Sequence, residues 1–229
     1  MNTVFPEISI EDHGTLSIDE FRKMDYLSVE KYKIPIELLM ENAGLNLARL
    51  VACNADKTSK ILIGVGIGNN GGGGLAAARR LAGWGYSVFL NVFDPGLKPL
   101  PAAQLERALA VGVVLGDQET PDIFIDAYLG FSQRLPLTPP LQTVIRSLND
   151  LTCLKISLDI PTGFDKNTAH LKFIPDIVLT LAAMKTELLA IRDKTELFIA
   201  DLGLPNSVYS QFGLIPIEEF KRNGIVKCK

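Results

Sequence analysis

Seven glycines fall within the eleven residues from Gly64 to Gly74, between the apolar run Ile61-Leu-Ile63 and the helix-like run Leu75-Ala-Ala-Ala-Arg-Arg-Leu-Ala82. Glycine loses more backbone freedom on folding than any other residue, so a chain concentrates it where the backbone turns sharply or comes close to something. A strand that runs through a glycine turn into a helix is the opening of a parallel βαβ unit. In such a unit the unpaired N–H groups and the positive end of the helix converge on one point, which suits phosphate. This stretch rules out all-helical and antiparallel all-β architectures.

The rest of the chain keeps the alternation. Two helices are expected ahead of the glycines. The first begins at the capping box Ser17-Ile-Asp-Glu20, and the second has Pro35 in its first turn. Strands are expected over 61–67, 87–93, 122–127, 154–160, 176–181 and 196–200, with helices over 72–82, 102–113 and 141–148 between them. The pattern predicts a three-layer α/β/α Rossmann-like domain spanning residues 1–229, with a mostly parallel sheet and two leading helices. Residues 1–16 read as a loosely ordered lead, and Lys221, Arg222, Lys227 and Lys229 as a solvated tail. With 47% hydrophobic and 21% charged residues the chain can build a sizeable core. A net charge of −3 gives no bulk attraction to nucleic acid or to a membrane surface. No run approaches the ~20 apolar residues of a membrane span. Three widely spaced cysteines and no secretory signal pattern point to a reduced, cytoplasmic protein. His13 and His170 stand alone and read as surface residues.

Three features carry chemistry. Gly66-Ile-Gly68-Asn-Asn-Gly71 matches the dinucleotide fingerprint, and Asp94 ends the next strand where a ribose-binding acid is expected. Taken alone this fits a nicotinamide dehydrogenase, or a glycine turn needed only for packing. Asp126 and Asp159 each end a strand, where open parallel sheets bind ligands. Each could instead cap a following turn. Together with the glycines they suggest a small anionic ligand held by backbone amides, with carboxylates near its reacting part or around a cation. Lys185 and Arg134 divide between a site role and a solvated one.

Six segments, in order and spacing, resemble the YjeF N-terminal domain family of NAD(P)H-hydrate epimerases. They are Met40-Glu-Asn-Ala-Gly44, Gly68-Asn-Asn-Gly-Gly-Gly-Gly-Leu75, Asp126-Ala-Tyr-Leu-Gly-Phe-Ser132, Asp159-Ile-Pro-Thr-Gly-Phe-Asp165, Leu179-Thr-Leu-Ala-Ala-Met-Lys185 and Asp201-Leu-Gly-Leu-Pro205. The resemblance implies epimerisation of hydrated NADH and NADPH at C6 of the nicotinamide ring. It implies substrate binding by Asn69, Asn70, Gly71, Gly72 and Gly73, by Gly130, Phe131, Ser132, Gln133, Arg134, Leu135 and Pro136, and by Asp159. Asp159 is the implied acid/base group, and a potassium ion is implied on Asn70, Asp126 and Thr162. A homodimer through the leading helices and a separate dehydratase acting in sequence are implied as well. Gly73 departs from the family pattern, which has an aspartate there; the change removes a negative charge from the nucleotide segment. The alternative is a catalytically eroded nucleotide- or RNA-linked interaction module of the same fold.

Overall fold

The computed structural model describes residues 5–116 and 120–229. Nine strands form one sheet in the order β1-β9-β8-β7-β6-β5-β2-β3-β4. They are β1 (Glu7–Ile8), β2 (Lys60–Val65), β3 (Ser87–Val92), β4 (Val114–Leu115), β5 (Ile123–Ala127), β6 (Leu154–Leu158), β7 (Ile177–Leu181), β8 (Glu196–Ala200) and β9 (Ile225–Cys228). Every pairing is parallel except β8 with β9. The helices are α1 (Ile10–His13), α2 (Ile18–Glu30), α3 (Ile36–Asn54), α4 (Asn69–Gly83), α5 (Pro99–Ala110), α6 (Pro139–Asn149), α7 (Asn206–Gln211) and α8 (Phe220–Asn223), with a 3-10 turn over Thr186–Ile191.

Alternate residues of a strand face opposite ways, so a strand buried on both faces reads as unbroken apolar sequence. In β2, Ile61, Ile63 and Val65 join Leu47, Leu75 and Ala108 in one core, beneath α3, α4 and α5. Leu62, between them, faces the other core, with Phe124, Leu141, Ile145 and Phe173 beneath α6. The chain leaves β2 for β3 and β4 on one side and returns to β5 on the other. The strand order therefore reverses between β2 and β5, which is where doubly wound sheets open a ligand crevice.

The expected capping box is present. Ser17 Oγ accepts from Glu20 N at 3.2 Å, and the Glu20 carboxylate accepts from Ser17 N at 2.8 Å. Three expectations need correction. The glycine helix begins earlier than the expected residue 72: α4 starts at Asn69, so all four glycines from Gly71 to Gly74 lie in its first turns. The lead is ordered from Phe5 on, with Ile8, Ile10 and Leu16 buried and β1 paired with β9; residues 1–4 lie outside the described residues. The C-terminal tail is structured too. Ile225 and Val226 are fully buried in β9, and Lys227 Nζ pairs with Glu196 Oε2 at 2.8 Å.

Candidate active site

The turn Gly66–Gly68 and the first residues of α4 form one wall of a cavity of about 540 Å³ above the carboxyl ends of β2, β5 and β6. α4 can start there because its glycines let neighbours approach. A Cβ on Gly72 would lie 2.5 Å from Met40 Sδ, and one on Gly74 would lie 2.7 Å from the Ala127 Cβ. Gly72 N already donates to Gly68 O at 3.1 Å, so free helix N–H groups are confined to the residues before it. The other walls come from the segment after β5, from α2 and from α3.

The Met40-Glu-Asn-Ala-Gly44 segment of α3 acquires a physical account. Met40 and Ala43 line the cavity. Glu41 accepts from Arg79 at 2.5 Å, from Arg80 at 2.7 Å and from Gln104 at 2.9 Å, which ties α3 to α4 and α5. Asn42 Nδ2 donates to Leu202 O at 2.8 Å. Gly44 lets the two helix backbones meet, since a Cβ there would sit 2.5 Å from Ala76. The segment holds the cavity wall in place.

Asp159 follows β6 with φ of 69°, a left-handed conformation that costs most non-glycine residues about 1 kcal/mol and that aspartate tolerates better than most. Its N–H still reaches back to Leu179 O at 2.8 Å. The turn aims the carboxylate into the cavity, although the residue is 1% exposed. Oδ2 accepts from Phe131 N at 2.9 Å. Oδ1 makes no directed hydrogen bond; its neighbour is Lys185 Nζ at 3.3 Å, an ion pair that leaves acceptor capacity toward the cavity. Lys185 is fully buried, donates to Leu181 O at 2.5 Å and lies 3.5 Å from the centre of the Phe21 ring. Burial pulls its ammonium down to about 8, against the opposing pull of Asp159, Asp25 and Glu187.

Asp126 is buried beneath the cavity floor. Its two oxygens accept from Ser157 Oγ (2.9 Å), Thr162 N (2.8 Å), Thr162 Oγ1 (2.6 Å) and Tyr128 N (3.3 Å). Burial pushes its carboxyl up, and these donors oppose the shift. Asn70 Nδ2 donates to Leu129 O at 2.9 Å and to Leu158 O at 3.2 Å, and its Oδ1 is buried without a partner.

The fold thus brings most of the expected residues together. Asn69, Asn70, Gly73, Gly130, Phe131, Ser132, Gln133, Arg134, Pro136 and Asp159 all line the cavity. Gly71 and Gly72 are buried behind that wall, Leu135 is 41% exposed, and Asp126 and Thr162 sit below. Asp94 lines the rim beside Lys98. Sequence reading missed Asp25 and Lys98 and left Lys185 undecided. Lys185 had one signal, its place after a strand end in line with Asp159.

Residues 36–187 match the family model described as YjeF-related protein N-terminus. An NAD(P)H-hydrate epimerase of Dehalogenimonas lykanthroporepellens is 35% identical over 211 residues, covering 87% of this chain and 86% of that protein. A bifunctional NAD(P)H-hydrate repair enzyme of Helicobacter pylori is 34% identical, covering 88% of this chain but 45% of its own length. The crystal structure of yeast YNL200c superposes with a TM-score of 0.83 at 21% identity, over 93% of this chain and 99% of that one. At that identity it speaks for the fold.

Proposed function

We propose, on the premise that the chain belongs to the YjeF-related N-terminus family, that it interconverts the R and S forms of hydrated NADH and NADPH. The observation that carries the reading is Asp159: a carboxylate fixed by Phe131 N–H and Lys185, with one oxygen left without a hydrogen bond at the wall of a cavity beside a helix N-terminus. The hydrated ring bears its hydroxyl on a carbon bonded to the ring nitrogen, a hemiaminal. Opening that centre erases its stereochemistry, and closing it from the other face inverts it. The step needs a positioned proton acceptor and a site that excludes water; no redox partner is consumed. Asp159 Oδ1 takes or returns the proton of the C6 hydroxyl. The N-terminal N–H groups of α4 face the phosphates, Met40 and Leu39 give the cavity an apolar wall, and Gly130 to Arg134 close over the ring.

A potassium ion fits the oxygens offered here. Asn70 Oδ1 is a buried carbonyl oxygen with no donor, and the Asp126 carboxylate and the Thr162 hydroxyl, bonded to each other at 2.6 Å, would complete a hard-oxygen set with it. Such an ion supplies positive charge that fixes the two substrate segments. A separate NAD(P)H-hydrate dehydratase acting in sequence would consume the S form. Gly73 in place of an acid departs from the family pattern, as do Arg134, Leu135 and Met184, and the Asp159–Lys185 pair argues for a working site.

The test is direct. The purified chain is added to the R hydrate of NADH together with an S-specific dehydratase, and the return of NADH absorbance is followed. Faster return than with dehydratase alone is the expected result; an unchanged rate refutes the reading.

A further inference from the structure

We propose that Asp25, carried into the cavity by α2, is a second catalytic carboxyl that donates a proton to the substrate in the cavity it shares with Asp159. The proposal rests on the epimerase reading above.

Asp25 lines the same cavity as Asp159 and is half-buried there. Among the described residues its carboxyl makes no hydrogen bond and no ion pair within 4.0 Å. A carboxyl held in a cavity without protein partners is available to a ligand. Its placement is fixed by its helix. Phe21 and Asp25 stand four residues apart on one face of α2, and Phe21 packs edge-on against Phe131 at 5.2 Å and lies under Lys185 Nζ. The front of α2 is bolted to the Lys185 segment. Leu16 N donates to Met184 O at 2.9 Å, Thr186 N donates to Leu16 O at 2.8 Å, and the Glu187 carboxylate accepts from Ile18 N at 3.1 Å. The two carboxyls and the ammonium therefore form one rigid cluster.

The cluster treats its two acids differently. Asp159 has a cation at 3.3 Å and a backbone donor beside it. Asp25 has neither. Burial raises its carboxyl first, the neighbouring charge of Asp159 raises it further, and Lys185 offsets part of this. Arg22 is engaged elsewhere, donating to Phe131 O at 3.4 Å and to Asp19 at 3.2 Å, and the Glu187 carboxylate accepts from Ile18 N while its charge acts on Lys185. Environments that push two carboxyls apart assign one as acid and one as base.

The step balances. Ionised Asp159 takes the C6 hydroxyl proton. The C6–N1 bond breaks as the C6–O bond becomes a carbonyl, and the departing electron pair goes to N1. Protonated Asp25 gives its proton to N1. The open form is an aldehyde with an N–H enamine. Rotation about C5–C6 presents the other carbonyl face. On closure N1 attacks that face, its proton returns to Asp25, and Asp159 returns its proton to the oxygen. Nothing is consumed.

Two measurements test this. In the coupled assay, Asp25→Asn should lower kcat by about 10²–10³-fold with little change in KM. The fall in wild-type rate as Asp25 loses its proton should be absent in the variant, while any fall set by Lys185 near about 8 stays, and Asp25→Glu should restore part of the rate. Carboxyl-labelled aspartate followed by NMR should show the Asp25 signal, identified by its loss in Asp25→Asn, titrating above the ordinary aspartate range and moving down in Asp159→Asn. Interconversion by wild type and Asp25→Asn at equal rates overturns the assignment and leaves the epimerase reading standing. So does an Asp25 signal in the ordinary range. A wild-type chain that does not interconvert the hydrates overturns the epimerase reading, and the step with it.

Discussion

Asp159 combines a demanding backbone with a demanding charge, and its variants separate the two. Asparagine keeps the shape and tolerates positive φ, so Asp159→Asn should fold normally and lose about 10²–10⁴ in turnover, read in the coupled assay beside a thermal melt. Alanine at 159 should add about 1 kcal/mol of destabilisation. Lys185 is the opposite case. Lys185→Met removes the cation beside a buried carboxylate and should cost about 3–5 kcal/mol in urea unfolding, because Asp159 is left unpaired. The pH dependence follows from the lowered ammonium. Folded Lys185 loses its proton near about 8, whereas the unfolded chain holds it to ~10.4. In that window the unfolded state binds more protons, so this residue makes stability rise with pH. The rise should be absent in Lys185→Met. The burial of Lys185 was not readable beforehand, because a lysine after a strand is more often solvated; what removes water is the Phe21 ring, brought from a segment distant in sequence.

Among the elements, α4 is the one whose sequence misleads most. Four consecutive glycines look like a loop because they are poor helix formers in isolation. They are helical here because tertiary contacts outweigh propensity: Met40, Ala127 and Gly66 O crowd the places where side chains would stand. Adding a methyl group would raise helix propensity by about 1 kcal/mol, yet Gly74→Ala should lower stability by about 1–3 kcal/mol through overpacking, measured by chemical denaturation. Gly73 differs. Its φ is not positive, and a Cβ would meet only Leu158 at 3.1 Å and Ala43 at 3.7 Å. Gly73→Asp should therefore fold and place a carboxylate on the cavity wall, with nucleotide affinity or turnover raised. The six central strands were legible because each is a short, mostly apolar run between turns and helical segments. β1, β4 and β9 were not, since two to four residues show no period, and their pairing depends on neighbours the local sequence does not name. At the site, the strand-end carboxylates were legible from position alone, while Asp25 needed the packing of α2.

At the scale of the whole molecule, the apolar residues of the leading helices, through which a homodimer is expected, are largely used internally. Leu39, Ala43, Leu47, Leu50 and Val51 are buried within the chain; Tyr26 and Leu38 are the large residues of the leading helices that stay exposed, at 60% and 54%. If a homodimer forms through that face, sedimentation at micromolar concentration should give twice the 25.0 kDa chain mass, and Tyr26→Lys with Leu38→Lys should return it to one. A wild-type monomer removes the dimer. No helix among the described residues is long and apolar enough to cross a membrane. The far edge of the sheet sets a different constraint. Among the described residues β1 pairs only with β9, with Ile8 beside Cys228. Glu7 and Ile8 lie far in sequence from Lys227 and Cys228, so β1 has nothing to lie against until β9 is made. The edge of β8 is open for a shorter time, from the making of β8 to its pairing with β9. A hem stitched between segments so distant in sequence closes late, and the folding chain holds its place with that edge still loose.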